Sequence, residues 1–314
     1  MKTQRRLVWG IAGLGVLILA CGLGPFLLAD IGDGDPLHAS LLPPFTRVTI
    51  LELTDGRTLV SPEVTTEGGL YLVRGPRTTS SIPFDDVAAK SNARLWLGSD
   101  RFGRNVLRRL LEGGRISLAV ASLGVTIALV VGLFVGLAAA TGGRVADAIL
   151  MRTVDALLAF PLLLLLILLS ALFRPGPAVL IAVLGLSTWM GLARLVRGQV
   201  LSLRTRSFIQ AATVAGTRWP RIWTLHYLPN LKAPVAQDTA LQMGNLVIAE
   251  ATLSFLGLGI PATLPSWGGM VAEGQRVMLD GWWLSVFPGL AITALVISLA
   301  LIGDGLQKSS QAST

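Results

Sequence analysis

Charge is scarce in this chain: Asp, Glu, Lys and Arg make up 14% of its 314 residues, against 52% hydrophobic ones. An ordinary soluble domain carries about 25% charged residues. With a mean hydropathy of +0.66, the composition excludes a typical water-soluble fold. Cysteine is nearly missing. Cys21 stands alone, which excludes an internal disulfide or a thiolate metal cluster and leaves it as a small buried hydrophobe. A phosphate-wrapping Gly-x4-Gly-Lys-Ser/Thr loop is lacking as well, since Gly303 to Ser309 reads GDGLQKS and has the wrong spacing. Any nucleotide chemistry would therefore lie outside this chain. The chain is expected to be no enzyme and to bind no cofactor of its own.

What is present is a series of long apolar runs: Leu7 to Ala29, Ile116 to Gly143, Ala156 to Phe173, Pro175 to Ala193 and Gly281 to Gly303. Each is long enough to cross a hydrocarbon core of about 30 Å as a helix. A sixth candidate, Pro234 to Leu258, is broken by Asp238 and Glu250. The expectation is an all-α integral membrane protein with six spans. Leu7 to Ala29 behind Lys2, Arg5 and Arg6 has an alternative reading as a signal peptide. However, 23 apolar residues is long for a signal core, and Leu19 sits where a cleavage box wants a small residue.

The net charge of +8 would suggest nucleic acid in a soluble protein; here its placement argues orientation, with no nucleic-acid partner. Arg144, Arg152, Arg194, Arg197, Arg204, Arg206, Arg218, Arg221, Lys232 and Lys308 all fall on the side of the basic N-terminus, whereas the short loops opposite hold only Arg174 and Arg276. Both termini are thus expected in the cytoplasm. His38 and His226 then lie on opposite faces of the membrane and form no metal site. The domains follow: 1–29, N-terminus and first span; 30–115, an extracytoplasmic segment; 116–304, the membrane domain; 305–314, a cytoplasmic tail.

Within 30–115, Val48 to Thr54 and Arg57 to Ser61 flank the turn pair Asp55-Gly56, and Leu70 to Arg74 reads as a third strand. Residues 46–74 form a small strand-rich insert on this reading. It is either a meander packed on the outer face of the membrane domain or a docking element for a second protein outside. Next, Gly98-Ser99-Asp100-Arg101-Phe102-Gly103-Arg104-Asn105 leads toward the second span. Phe102, Val106 and Leu110 recur at helical spacing, so an amphipathic helix at the outer interface is expected.

The segment 198–232 is polar, basic and helix-forming between apolar spans. It reads as a helical piece from Ser207, with Ser207 as its N-cap, a break at Gly216, and a second piece from Trp219-Pro220. Trp219, Ile222 and Trp223 would share one face as an apolar knob flanked by Arg218 and Arg221. A basic loop resting on anionic lipid headgroups is the alternative.

In this segment Gln210-Ala211-Ala212, then Gly216, then Leu228-Pro229 resembles the Glu-Ala-Ala, three residues, Gly, Ile-x-Leu-Pro loop of ABC importer permeases. Gln210 replaces the glutamate and His226 the aliphatic residue. The 97–107 stretch is similar to the Gly-Thr-Asp-x-x-Gly-Arg-Asp-Val-Leu signature of dipeptide and oligopeptide importer permeases, with Ser99 and Asn105 as departures. Ala249 to Gly259, Pro265 to Gly268, Phe287 to Gly289 and Gly303 to Leu306 extend the resemblance. It implies the type I importer permease fold, with Gln210, Ala211, Ala212, Gly216, Trp219, Arg221, Ile222, Trp223, Leu228 and Pro229 in a coupling helix that enters a groove on an ATPase subunit. It also implies a second permease subunit, two ATP-binding subunits using ATP and Mg, a substrate-binding protein outside, and membrane lipid around the bundle. Peptides are the first cargo it suggests.

Glu250 is an intramembrane carboxylate, and two roles fit: a structural hydrogen-bond hub, or a lining residue of the translocation path. A secondary transporter or channel working without an ATPase is the competing class; it would need a self-contained site at mid-membrane. The topology has a direct check. With Cys21→Ser, single cysteines from Thr58→Cys and Thr217→Cys should react with an impermeant maleimide in intact cells at 58 and not at 217; the reverse pattern inverts the topology.

Overall fold

The structure is a computed structural model that describes residues 2–28, 34–173 and 176–311, with side chains described from Arg5 to Gln307 in those ranges. Asp30, Arg174, residues 312–314 of the tail and the side chains of Lys2 and Lys308 lie outside the described residues. In chain order come α1 (Lys2–Leu27), β1 (Thr46–Leu53), β2 (Thr58–Ser61), β3 (Glu63–Glu67), β4 (Leu70–Arg74), β5 (Thr79–Pro83) and β6 (Val87–Leu95). Then follow α2 (Val106–Thr141), α3 (Gly143–Leu158), α4 (Leu162–Leu172), α5 (Pro177–Leu186), α6 (Trp189–Arg204), α7 (Ser207–Val214), α8 (Trp219–Ile222), α9 (Leu228–Phe255), α10 (Trp267–Gln275) and α11 (Trp283–Gln311). Contacts divide the chain into two compact units: Met1–Leu17 with Ser117–Pro261 and Ile292–Thr314, and Ile18–Ile116 with Ala262–Ala291.

Among the described residues four helical stretches are long and apolar enough to cross a membrane: Arg5–Leu27, Val106–Thr141, Pro177–Arg204 and Trp283–Gln307. α3 and α4 make a fifth if taken together, bent by 84° at a short break where Pro161 ends the connection. That differs from six straight runs for two reasons. The run at Ala156 to Phe173 cannot stay one helix, because Pro161 lacks an N–H and clashes with the preceding turn. α9 is 28 residues long, but Gln237, Asp238, Gln242, Asn245 and Glu250 dilute its apolarity.

In the first unit α2 lies against α6. A Cβ added at Gly136 would stand 2.6 Å from the Ala193 carbonyl oxygen, so the helices meet backbone to backbone at that point. Around this contact Leu137, Leu192, Val196 and Val200 form a core that continues to Ile209, Ile222, Tyr227 and Leu231. The second span begins at Val106, ten residues earlier than its apolar run. Its polar lead-in, with Arg108 and Arg109, is the first part of the same helix. Phe102 falls in the loop before it, so the expected separate amphipathic helix is not formed.

The second unit holds the insert, which is larger than residues 46–74. Two antiparallel three-stranded sheets run β2-β1-β6 and β3-β4-β5. The Asp55-Gly56 pair turns as read: Gly56 N–H donates to Leu53 O at 3.0 Å and Leu53 N–H to Arg57 O at 2.8 Å. β1 alternates imperfectly because both faces are covered. Val48 and Ile50 bury one side with Val60 and Leu95, while Leu51 and Leu53 are buried on the other. β6 carries no strand signal of its own because VAAKSNARL is mostly exposed and lacks apolar alternation, yet it pairs with β1 along its length, Thr46 opposite Leu95. A chain of hydrogen bonds ties the second sheet to the preceding loop: Asp35 Oδ2 to His38 Nδ1 at 2.8 Å, and His38 Nε2 to Ser80 Oγ at 3.0 Å.

This register dictates which excision the protein should survive. Replacing residues 46–95 by a short Gly-Ser bridge removes both sheets whole. Replacing 46–74 strands β5 and β6 without partners, exposing unpaired sheet edges. Membrane yield and size-exclusion profile should stay near wild type for the first deletion and collapse into aggregate for the second; equal recovery of both would refute the closed-cassette description.

Candidate functional site

Three clusters of polar side chains and a cavity beside α9 stand out. The first is built on the 98–105 loop. Asp100 is fully buried; its Oδ1 accepts the N–H groups of Phe102 (2.8 Å) and Arg104 (2.9 Å), and its Oδ2 accepts Arg104 Nε and Arg109 Nη1, both at 2.7 Å. Arg109 then forks onto Glu273 of α10, Nη1 to Oε2 at 2.6 Å and Nη2 to Oε1 at 3.0 Å. Such a bidentate, desolvated pair is among the stronger charge-assisted contacts. Gly103 has φ +78°, and a Cβ there would lie 2.2 Å from the Asp35 carbonyl oxygen, so both conformation and space require glycine. Ser99 accepts from Leu42 N–H at 2.8 Å, and its carbonyl accepts Trp283 Nε1 at 3.1 Å. Gly98, Ser99, Asp100, Gly103 and Arg104 are thus brought together. Glu273, 164 residues from its partner Arg109, carries no local signal in the sequence.

The second cluster is the connection between α6 and α9, residues 205–227. α7 starts at Ser207, but Arg206 holds the capping position and no side-chain cap bond is made, so Ser207 is not the N-cap. α7 ends at Gly216 with φ +71°. Gly216 N–H donates to Thr213 O at 3.0 Å and Thr217 N–H to Ala212 O at 3.1 Å, the paired bonds of a left-handed helix stop. α8 follows, and residues Trp223–Tyr227 form a wider π-helical turn into α9. The expected three-residue knob is split. Ile222 is buried and Trp223 turns onto the same core, with its ring 6.4 Å edge-on from Phe134. Trp219 stays 40% exposed and is joined by Phe208 and by Val214 at 89%. Gln210, Arg221 and Pro229 are exposed and Ala212 partly so, with Ala211 exposed beside them and Leu228 packed on the core. Arg204 donates Nη1 to the Ala140 carbonyl at 2.8 Å, closing the end of α2.

Glu250 of α9 is 0% exposed. Ser254 Oγ donates to its Oε1 at 2.8 Å and in turn accepts Ile260 N–H at 3.2 Å, and Ser117 also reaches the carboxyl. Its side chain does not line the cavity, about 420 Å³ in volume, that opens among the α3–α4 break, the Ser187-Thr188 turn and the face of α9 bearing Asp238, Gln242 and Asn245. In the sequence Asp238 reads only as an interruption of an apolar run. Its spacing to Gln242 and Asn245, four and seven residues, was the available signal. No group of three or more His, Cys, Asp or Glu able to hold a metal occurs among the described residues.

The Arg109 fork has a pH signature. Burial alone would raise the Glu273 pKa, but the Arg109 bonds and the charges of Arg109, Arg104 and Arg101 outweigh it and hold the carboxyl below the ordinary glutamate range. A carboxylate depressed in the folded state stabilises above its unfolded pKa of about 4.3, and that stability is lost as pH falls through the lower folded value. In detergent, Glu273→Gln should lower the melting temperature at pH 7, at a cost of about 1–3 kcal/mol, and the gap from wild type should close toward pH 3. A gap independent of pH would remove the ionic role.

The family described as binding-protein-dependent transport system inner membrane component matches residues 124–313. A protein of Brucella suis biovar 1 that carries the provisional name of peptide transport system permease is 41% identical over 210 residues, 67% of this chain and 71% of that protein. The dipeptide transport system permease protein DppC of Alkalihalophilus pseudofirmus is 38% identical over 216 residues, 69% of this chain and 71% of its own length. Among solved structures, a chain of the MetNI methionine ABC transporter in an inward-facing conformation aligns with a TM-score of 0.51 at 21% identity, over 65% of this chain and 96% of that one. A second crystal form of the same transporter gives 0.53 at 20% identity, over 66% and 96%. With a fold shared with a chain of an ABC transporter and a family match across more than half its length, this chain belongs to the binding-protein-dependent inner-membrane permeases of ABC importers.

Proposed function

We propose that the chain is one of two permease subunits of a peptide importer in the bacterial inner membrane, with six spans, both termini in the cytoplasm, and α9 as the fifth crossing. Two partner subunits hydrolyse ATP with Mg, a binding protein delivers cargo to the outer face, and residues 205–227 within 198–232 transmit the ATPase movement. Glu250 serves as a hydrogen-bond hub.

The observation that carries the reading is the build of the loop. Its inner side is fastened by Ile209, Ile222, Tyr227 and Leu231 in one core, so it moves as a body with α6 and α9. Its outer side leaves Phe208, Val214 and Trp219 in the open. Burying a large apolar side chain is worth about 1.5–3 kcal/mol, enough for three such residues to hold a partner's groove. The cations Arg206, Arg218 and Arg221 also face outward, as a loop on lipid headgroups would need, but such a loop gains nothing from a rigid left-handed stop. Peptide cargo is drawn from the names of the relatives.

Reconstitution of the full complex tests this. Gly216→Val forces a β-branched residue to positive φ, and Trp219→Ala removes the exposed ring. Together they should leave membrane insertion intact and ATP turnover measurable while peptide uptake falls at least about tenfold, a difference of about 1.4 kcal/mol in coupling. Undiminished coupled uptake would remove the mechanical role, and uptake by the chain alone in liposomes would replace the importer with a secondary transporter.

A further inference from the structure

α9 carries a polar row that neither the loop nor the Glu250 cluster uses. Asp238, Gln242 and Asn245 succeed one another on one helical face, and all three line the cavity of about 420 Å³. Asp238 has no ion-pair or hydrogen-bond partner among the described residues. Gln242 is clamped by its Nε2, which donates to the Thr188 carbonyl at 2.6 Å. That bond fixes which end of the amide faces where, and its Oε1 is left buried with no donor. The other walls, Leu157, Phe160, Leu241 and Leu246, are apolar. Asp238 lies ten residues into a 28-residue helix, about 15 Å along its axis. An ionisable group at such a height is retained where it meets water or a cation.

We infer that this cavity is a station for a cationic group of the cargo, an ammonium such as the amino terminus of a peptide, with Asp238 as counter-ion. The inference rests on the importer reading above and adds the charge that the path selects. An ammonium has three donors and no acceptor. It is matched by the unpaired carboxylate of Asp238, and the Gln242 amide one helical turn on, about 6 Å away, is held in the wall by its bond to the Thr188 carbonyl. Asn245, a turn farther, offers both a donor and an acceptor and so suits the following peptide unit. A cargo carboxylate entering first would face Asp238 and find no cation on these walls. A partner subunit's basic side chain is the rival occupant.

The test uses the assembled complex with Cys21→Ser and Asn245→Cys. Modification rates with a trimethylammonium-ethyl and a sulfonato-ethyl methanethiosulfonate are each normalised to a free thiol. The cationic reagent should react about tenfold faster or more, and Asp238→Asn should abolish that preference. Alanyl-alaninamide should slow the reaction, and its N-acetyl derivative should not. Equal normalised rates for the two reagents, or equal effects of the two amides, overturn the proposal. Failure of both reagents to react shows the cavity filled by the neighbouring subunit and overturns it too. Co-purifying ATPase subunits and ATP turnover, measured on the same preparation, report on the importer reading separately.

Discussion

The buried carboxylate of Asp100 organises the second unit. A charge without solvent is tolerated only when its lone pairs are satisfied, and here four donors converge on it from Phe102, Arg104 and Arg109. Two of these are backbone groups that fold the loop back on itself, and Arg109 hands the charge on to Glu273. Loop, the start of α2 and α10 are thereby held by one continuous network whose members lose most of their value singly. The motif at 98–105 is therefore more than an amphipathic surface. Its glycines permit the turn, its aspartate holds it, and its arginines carry the fastening to a helix far along the chain.

The parts of the fold that were legible in the sequence rest on local chemistry. Apolar runs predicted α1, α2, α5–α6 and α11. Asp55-Gly56 predicted a hairpin turn, and Gly216 predicted the end of α7; each depends only on residues within a few positions. What was hidden depends on partners. β6 has no hydrophobic alternation of its own and becomes a strand because β1 offers it a ladder. Trp219, Ile222 and Trp223 look equivalent on a helical wheel. Yet α8 ends at Ile222 and a wider turn begins at Trp223, which draws the latter two onto the core and leaves Trp219 outside. Composition alone gives six spans, and that count meets its limit at α9, where three of the residues that spoil its apolarity, Asp238, Gln242 and Asn245, line the cavity.

That tension is instructive in α9. In the sequence Asp238 and Glu250 are two charges in one helix, and only Glu250 draws a role. The structure separates them: Glu250 is enclosed and bonded within its own helix end, whereas Asp238 fronts open space. The difference arises from what stands opposite. Ser117 and Ser254 meet one carboxylate, and the cavity behind the α3–α4 break meets the other. No property of α9 alone could have assigned the two.

The base of the insert has a consequence for the history of this chain. Because Thr46 pairs with Leu95 and Phe45 N–H donates to Leu95 O at 2.8 Å, the polypeptide leaves and returns through a single doorway one strand spacing wide. A segment with adjoining ends can be acquired, exchanged or discarded in one genetic event without re-threading any helix. What limits such exchange is the loop before it, since Ala39 and Leu42 share the core of the first sheet and His38 bonds Ser80 of the second.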